Sequence, residues 1–209
     1  MGLKKAGQVR QEESPAGFRR YERNYQGLLC QLGDPDPAVR RWAVRDLASY
    51  PEAASELVLL LAEEPEIEVR EAIATSLELI GGRTAVEGLI PLLRSEDAGL
   101  RNTAIEVLQH LPDDVAVHTE RLLVEPDSDL RIFAVNIMET LPHPRREEWL
   151  SGILRSDPHV NVVAAALNLL SEIGSERVLP GVLEAGRRFP AEPYIQFACQ
   201  MVEKRIRSL

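Results

Sequence analysis

The sequence has few of the residues that mark disulfide-rich, membrane or aromatic-cored proteins. Aromatic residues make up 5% of its 209 residues, which argues against a β-sandwich and favours helices packed through aliphatic side chains. The two cysteines, Cys30 and Cys199, are too far apart in sequence to form a disulfide framework or a metal cluster. No apolar run approaches the ~20 residues that a membrane-spanning helix needs. We therefore expect a soluble protein without a membrane partner.

The first residues, MGLKKAGQVRQEES, lack the apolar stretch that a secretory signal requires. Ala6 occupies the position where a myristoylation motif has Ser or Thr. We therefore predict a cytoplasmic protein with a flexible tail over residues 1–16 and a folded domain over residues 17–209.

Charge is distributed unevenly along the chain, whose formal net charge is −9. Residues 28–179 contain 13 arginines, no lysine and 27 carboxylates, which gives this segment a net charge of −14. Such a segment repels a phosphate backbone, so the charge disfavours nucleic acid as a partner.

Five similar segments recur at intervals of 30 or 31 residues, and they begin at Asp36, Glu66, Asp97, Asp127 and Asp157. Each has an aliphatic residue three positions after its acid, and in the first four segments apolar residues follow that position by four and eight. This spacing places the apolar side chains on one helical face. Because a second set of amphipathic stretches lies between the segments, each unit is predicted to be a pair of antiparallel helices. The sequence thus predicts an all-α fold, an α-solenoid of about six antiparallel helix pairs.

Helix boundaries follow from the residues that flank each segment. The acids are predicted to cap the second helix of each pair, with Pro37 and Pro158 at first helical positions. Gly81, Gly82 and Gly174 are predicted to end second helices in a left-handed conformation.

The run D-P-x-x-V-R, followed by alternating Ala and Leu and ending in I-G, resembles the HEAT-like repeats of phycobilin lyase subunits. Residues 66–81, EIEVREAIATSLELIG, are similar to that pattern throughout. The resemblance extends over residues 34–175 and more weakly over 17–209. It implies a HEAT-like superhelix, but it says little about function, because proteins of this class serve as scaffolds, lyases, hydroxylases and nucleic-acid binders.

Four of the segments place an arginine four residues after the acid, which gives the pairs Asp36/Arg40, Glu66/Arg70, Asp97/Arg101 and Asp127/Arg131. This spacing predicts that each pair lies on one side of a first helical turn. The resemblance implies that such residues form a ladder that connects neighbouring units. A basic stripe that binds phosphates or acidic partners is the alternative, which the accompanying anions disfavour. In the fifth segment Asn161 replaces arginine and the apolar residues fit better from Val162, so we expect a two-residue insertion and a break in the ladder there.

Nothing in the sequence indicates catalysis. None of the usual hydrolase, P-loop or metalloprotease motifs is present, and no His-Glu dipeptide matches the iron ligands of HEAT-like hydroxylases. A metal held by His110 and His143 near Asp113 and Asp114 is an alternative to a simple polar loop, but no ligand geometry is specified. We predict no enzyme activity, no metal and no cofactor. Cys30 and Cys199 lie among apolar neighbours and are predicted to be core residues.

Function is therefore expected on the surface of the second helices, which usually line the concave side of such a solenoid. The residues predicted to contact a partner point away from the core, and they are Arg41, Arg45, Asn102, Glu106, Ile132 and Asn136, with Trp42 and Phe133 at the edge of the groove. The two aromatic residues could instead fill space between helices. Trp149 is predicted to pack in the core with Ile153 and Leu154.

These observations favour a non-catalytic scaffold or adaptor that binds a protein or peptide in its groove. One alternative, suggested by the resemblance alone, is a bilin lyase-type or chromophore-handling subunit. Another is a nucleic-acid-binding HEAT-like protein, which the acidic central segment disfavours.

Overall fold

The computed structural model describes residues 22–208, which form twelve α-helices and no strand. The helices are α1 (Tyr25–Gln31), α2 (Pro37–Leu47), α3 (Ala54–Glu63), α4 (Ile67–Ile80), α5 (Gly82–Leu92), α6 (Ala98–Gln109), α7 (Pro112–Leu122), α8 (Ser128–Ile137), α9 (Arg146–Ser156), α10 (Val160–Ile173), α11 (Leu179–Arg188) and α12 (Pro193–Arg207). The predicted six helix pairs are confirmed. The predicted tail over residues 1–16, and the predicted start of the domain at residue 17, lie outside the described residues.

The even-numbered helices form a continuous row, in which α2, α4, α6, α8, α10 and α12 each pack against the next. The odd-numbered helices cover the other side of this row. The core lies between the two rows, and the predicted apolar positions are fully buried at Leu47, Leu77, Leu108 and Met138. Burial of these side chains holds each helix pair against its neighbours, because one pair alone cannot cover its apolar face.

Acidic N-caps fix where three of the six even-numbered helices begin, whereas Glu66 at the start of α4 makes no capping hydrogen bond. Asp36, Asp97 and Asp127 each accept a hydrogen bond from a backbone N–H two residues later, at 2.8–2.9 Å. These bonds satisfy amide groups that would otherwise have no partner in the first turn. Pro37 occupies the first helical position as predicted.

The fifth unit differs in the way that its sequence register indicates. Its buried residues include Val162, Ala166 and Leu170, which fit the register counted from Val162 and confirm the two-residue shift. The helix is therefore capped at His159, so the prediction that Asp157 is the N-cap and that Pro158 begins the helix is wrong. The insertion moves Asp157 two residues ahead of the cap, where its carboxylate accepts the His159 N–H at 2.8 Å.

Two of the three predicted glycine stops have the expected backbone. Gly81 and Gly82 have φ of 59° and 80°, a region that favours glycine. Gly174 has φ of −62°, so its predicted left-handed conformation is wrong. A Cβ atom at Gly174 would lie 2.7 Å from the Leu170 carbonyl oxygen, so close approach of the backbone explains this glycine.

The row of odd-numbered helices opens between α7 and α9, which do not pack closely although α3, α5 and α7 do so in turn. The connection before α9 is long and contains Pro142 and Pro144. Gly88 in α5 lies against Val58 of α3, whereas Gly152, at the same position of α9, faces open space. The result is a cleft of about 330 Å³ between α7 and α9.

Candidate partner-binding face

Arginine side chains connect successive units through carboxylates of the following unit. Arg40 binds Glu64 through two nitrogen–oxygen contacts of 2.6 and 2.8 Å, and Arg131 binds Asp157 through contacts of 2.7 and 3.1 Å. Each guanidinium also donates to carbonyl oxygens of the turn before its own helix. The prediction that each arginine pairs with the acid four residues before it is wrong: Asp36, Asp97 and Asp127 cap their helices, and Glu66 forms neither a capping hydrogen bond nor an ion pair within the described residues. The ladder implied by the resemblance is present as a set of bridges between units.

The buried bridges fix the protonation state of their members. Burial alone would raise the pKa of the Glu64 carboxyl, but hydrogen bonds from Arg40 and the Glu66 amide hold that pKa below its usual value. The hydrogen bond to Asp157 raises the pKa of Arg131 above its usual value. These guanidinium groups are neutralised within the protein, so they do not form a basic stripe that could bind phosphates.

Two steps of the ladder differ from this pattern. Arg101 donates to the carbonyl oxygens of Ser95 and Glu96 and makes no ion pair with any carboxylate among residues 22–208. In the fifth unit, where a break was predicted, Arg188 of α11 donates to the carbonyl oxygens of Leu154 and Asp157. Arg188, which belongs to the next unit, thus binds the turn before α10. It takes the place of the arginine that Asn161 replaces in this unit.

We define the second-helix face as the outward side of α2, α4, α6, α8, α10 and α12. The residues predicted to contact a partner lie along this face, but their exposure differs. Arg45, Asn102 and Glu106 are exposed, whereas Arg41, Trp42, Ile132, Phe133 and Asn136 are half-buried. The three exposed side chains are the ones that a partner could contact most fully.

The cationic end of the face, on α2, is partly engaged within the chain. Arg41 forms an ion pair with Glu68 of the next unit, with an Nη1–Oε2 distance of 2.7 Å. The Arg45 guanidinium lies 5.4 Å from the centre of the Trp42 ring, which is within cation–π range. Arg45 is therefore the more accessible of the two charges.

Ile132 and Phe133 pack against the hydrophobic core, so Phe133 fills space between helices rather than presenting an open aromatic ring. Asn136 contributes its backbone carbonyl to a 2.8 Å hydrogen bond from Gln109 of the preceding unit. All three residues are therefore less available to a partner than Arg45, Asn102 and Glu106.

An apolar region of the same face, which the repeat pattern had not been used to predict, lies on α12. Tyr194, Phe197 and Met201 are exposed by 51%, 59% and 44%, and we call these three residues the apolar patch. Counted from the buried Ile195, Phe197 and Met201 occupy the positions that Arg41 and Arg45 occupy when counted from Val39. The Tyr194 hydroxyl lies 2.6 Å from Asn168 Oδ1 on α10, which places the patch beside the preceding helix. Extending the repeat register to the last helix would have identified it.

Between the two ends, the face is acidic. Glu71 on α4, Glu106 on α6, Asp129 on α8 and Glu139 just after the end of α8 are exposed, and we call these four residues the acidic stretch. None of their carboxylates forms an ion pair with another of the residues that the structure describes. In contrast, the interior carboxylates Glu64 and Asp157 are fully engaged by arginine.

The other candidate sites have ordinary structural explanations. His110 lies 2.8 Å from Glu78, and within residues 22–208 no group of three or more His, Cys, Asp or Glu side chains is placed to share a metal ion. Trp149 is buried as predicted and donates to Glu120 through its indole nitrogen. Its ring stacks on His143 with a centroid separation of 4.5 Å.

The two cysteines have different environments. Cys199 is buried as predicted, and burial raises the pKa of its thiol to about 11. Cys30 is exposed, so its predicted place in the core is wrong. It lies on α1, and no helix of the described part of the chain precedes α1 to cover it.

No helix within residues 22–208 combines the length and the apolar character needed to cross a bilayer.

The sequence model of the HEAT repeats matches residues 25–109 and 115–198. A bilin biosynthesis protein, PecE of Mastigocladus laminosus, is 29% identical over 154 residues, covering 70% of this chain and 56% of that protein. The N-terminal part of the cullin-associated NEDD8-dissociated protein 1 of Emericella nidulans is 26% identical over 185 residues, covering 74% and 53%. The chain thus spans little more than half the length of these two relatives.

Among solved structures, a HEAT-like repeats protein of Thermococcus onnurineus NA1 is similar with a TM-score of 0.46 and 18% identity, covering 87% of this chain and 86% of that one. A designed armadillo repeat protein has a TM-score of 0.42 and 16% identity, covering 86% and 98%.

Proposed function

The chain belongs to the HEAT repeat family, and we propose that it is a non-catalytic interaction module that binds a protein or peptide along its second-helix face. The observation that carries this proposal is the apolar patch of Tyr194, Phe197 and Met201, which lies on the same face as the exposed Arg45, Asn102 and Glu106. Large apolar side chains next to polar and charged ones are typical of the centre and rim of protein interfaces.

The arrangement of the arginine residues supports the same proposal. The buried guanidinium groups bind carboxylates and carbonyl oxygens within the solenoid, and the exposed carboxylates of the face repel phosphates. A protein or peptide partner therefore fits this face better than nucleic acid does. We expect this activity in the cytoplasm, as the sequence predicts.

The test uses photo-crosslinking from defined positions of the intact chain. A benzoylphenylalanine residue replaces Phe197 or Asn102 on the second-helix face, and Val117 on α7 provides an exposed apolar control on the other helix row. We expect one partner to crosslink from the first two positions and not from Val117. After that partner is purified, Phe197→Ala should weaken binding about tenfold and Val117→Ala should leave it unchanged. Crosslinks of equal yield from Val117, or equal dissociation constants, would contradict the proposal.

A second candidate function is the handling of a bilin chromophore, which the 29% identity with a bilin biosynthesis protein favours. Coexpression of the chain with a bilin source tests it. A purified protein that carries the visible absorption of a bilin would support this function, and a colourless protein would count against it.

A further inference from the structure

The second-helix face has two chemically different regions. The acidic stretch lies along α4, α6 and α8, and the apolar patch lies on α12, with the short side chains of Ala164 and Asn168 of α10 between them. The face is therefore asymmetric along the solenoid, and a partner that fits it has to match both regions in one orientation.

The acidic stretch lacks the compensation that other carboxylates of the protein have. Its four carboxylates are exposed, make no ion pair within the described residues, and have no lysine or arginine beside them in the outward positions of α4, α6 and α8. His110, which lies beside these outward rows, is hydrogen-bonded to Glu78 at 2.8 Å. Unpaired charges of one sign favour association with a ligand of the opposite sign, which steers the ligand and selects against acidic competitors.

The apolar patch has the composition of an anchor site. Phe197 and Met201 are adjacent on one side of α12, and the Tyr194 hydroxyl is held by Asn168. Other outward positions of α12 are polar, with Gln200 and Lys204 exposed. The exposed large apolar residues of α12 therefore form one patch on the second-helix face.

On the basis of the function proposed above, we propose that the partner is a segment of another protein that carries lysine or arginine over the acidic stretch and a large apolar side chain over the apolar patch. Neighbouring packed helices lie about 8–10 Å apart, so the distance from α4 to α12 is on the order of 40 Å. An extended segment of about 12 residues spans this distance. The basic residues bind nearer the N-terminal units, and the apolar anchor binds at the C-terminal unit.

The experiment is a selection from random 16-residue peptides displayed against the immobilised full chain. We expect the selected peptides to be rich in lysine or arginine and to contain at least one aromatic or large aliphatic residue. The double variant Glu71→Lys/Glu106→Lys should weaken binding of the selected peptides about tenfold, and Phe197→Ser should weaken it to the same extent. The matched charge control is Glu63→Lys/Asp113→Lys, which makes the same change on exposed residues of α3 and α7. The matched apolar control is Val117→Ser.

Each other outcome overturns the inference in a different way. If the selected peptides are acidic or uncharged and Phe197→Ser weakens their binding, the inference of a basic partner is wrong. The proposed function as a protein-binding or peptide-binding module would still stand. Equal weakening by the control variants would show general charge attraction, and the absence of selected peptides would show that the face takes no such segment.

Two alternative occupants are tested in the same preparation. A second copy of the chain would appear as a dimer by light scattering that Phe197→Ser dissociates. If the chain's own Lys4 and Lys5 occupied the acidic stretch, they would compete with basic peptides. Lys4→Glu/Lys5→Glu would then strengthen the binding of basic peptides about tenfold. Either result would contradict the proposal that the occupant is a segment of another protein.

Discussion

The guanidinium of Arg131 binds the carboxylate of Asp157 across the boundary between the fourth and fifth units. Both side chains are buried, with 10% and 6% of their surfaces exposed, and both carboxylate oxygens accept hydrogen bonds. Arg131 also donates to the carbonyl oxygens of Glu125 and Pro126, so one side chain joins a turn of its own unit to the next unit.

Arg131→Ala should therefore destabilise the fold more than Arg101→Ala does. Removing Arg131 leaves a buried carboxylate without its partner, which costs about 3–5 kcal/mol in the free energy of unfolding. Arg101 binds only carbonyl oxygens of its own turn, so its removal leaves no buried charge unpaired. Urea denaturation of both variants and the wild type measures the difference. Equal losses would show that the ion pair across the boundary adds nothing to stability.

The contribution of Glu64 to stability should disappear in acid. Its pKa in the folded protein lies below the usual value of 4.5, so its ionised form is favoured by folding. The resulting stability is fully present above pH 4.5 and is lost as the pH falls through the lower folded pKa. We expect Glu64→Gln to be less stable than the wild type at pH 7, and this difference to shrink steadily below pH 4.5. Urea denaturation across this range is the measurement, and a difference independent of pH would contradict the prediction.

The two cysteines should differ in their reaction with a thiol reagent. Cys30 is exposed, whereas Cys199 is buried with a thiol pKa of about 11, raised by burial and by Glu203. At pH 8 we expect one thiol to react rapidly with dithionitrobenzoate in the native protein and two in denaturant. Cys30→Ser is the control, and it should remove the rapid phase alone. A rapid phase that survives in this variant would place Cys199 within reach of the reagent.

Alanine substitutions at two corresponding glycines should have different effects. Gly152→Ala places its Cβ in open space within a helix, so we expect stabilisation of about 0.5–1 kcal/mol from helix propensity. At Gly88 the new Cβ would lie 3.0 Å from two methyl groups of Val58, so that gain should be absent or reversed. Thermal unfolding monitored by circular dichroism compares the two variants. Equal changes in the unfolding midpoint would contradict the expectation that crowding against Val58 removes the gain at position 88.

The repeat period predicted most of the fold because it depends on local spacing. Three acidic N-caps, the buried leucines and the shifted register of the fifth unit all follow from residues within one helix. The bridging carboxylates could not be predicted in this way. Glu64 and Asp157 precede their helices and lie 24–26 residues from the arginines that bind them, so helical periodicity carries no signal for either pair.

The site was predicted in part. Arg45, Asn102 and Glu106 are exposed where the register places them, while Ile132 and Phe133 are half-buried and pack against the core. Phe197 and Met201 follow from the same count continued into α12. Cys30 was misplaced because an amphipathic pattern predicts a covered side only where a neighbouring element exists to cover it.

The cleft between α7 and α9 has a mechanical consequence. At this boundary the units are joined by the packing of α8 on α10 and by the Arg131–Asp157 bridge, whereas on the other side Trp149 and Arg145 contact Glu120 without close packing of α7 on α9. Bending therefore disrupts less packing here than at the steps where both rows are closed. The hinge so formed lies between the carboxylates of Glu71 to Glu139 and the aromatic rings of α12. A rotation at this boundary would change the separation of the acidic stretch and the apolar patch, and with it the length of segment needed to span both.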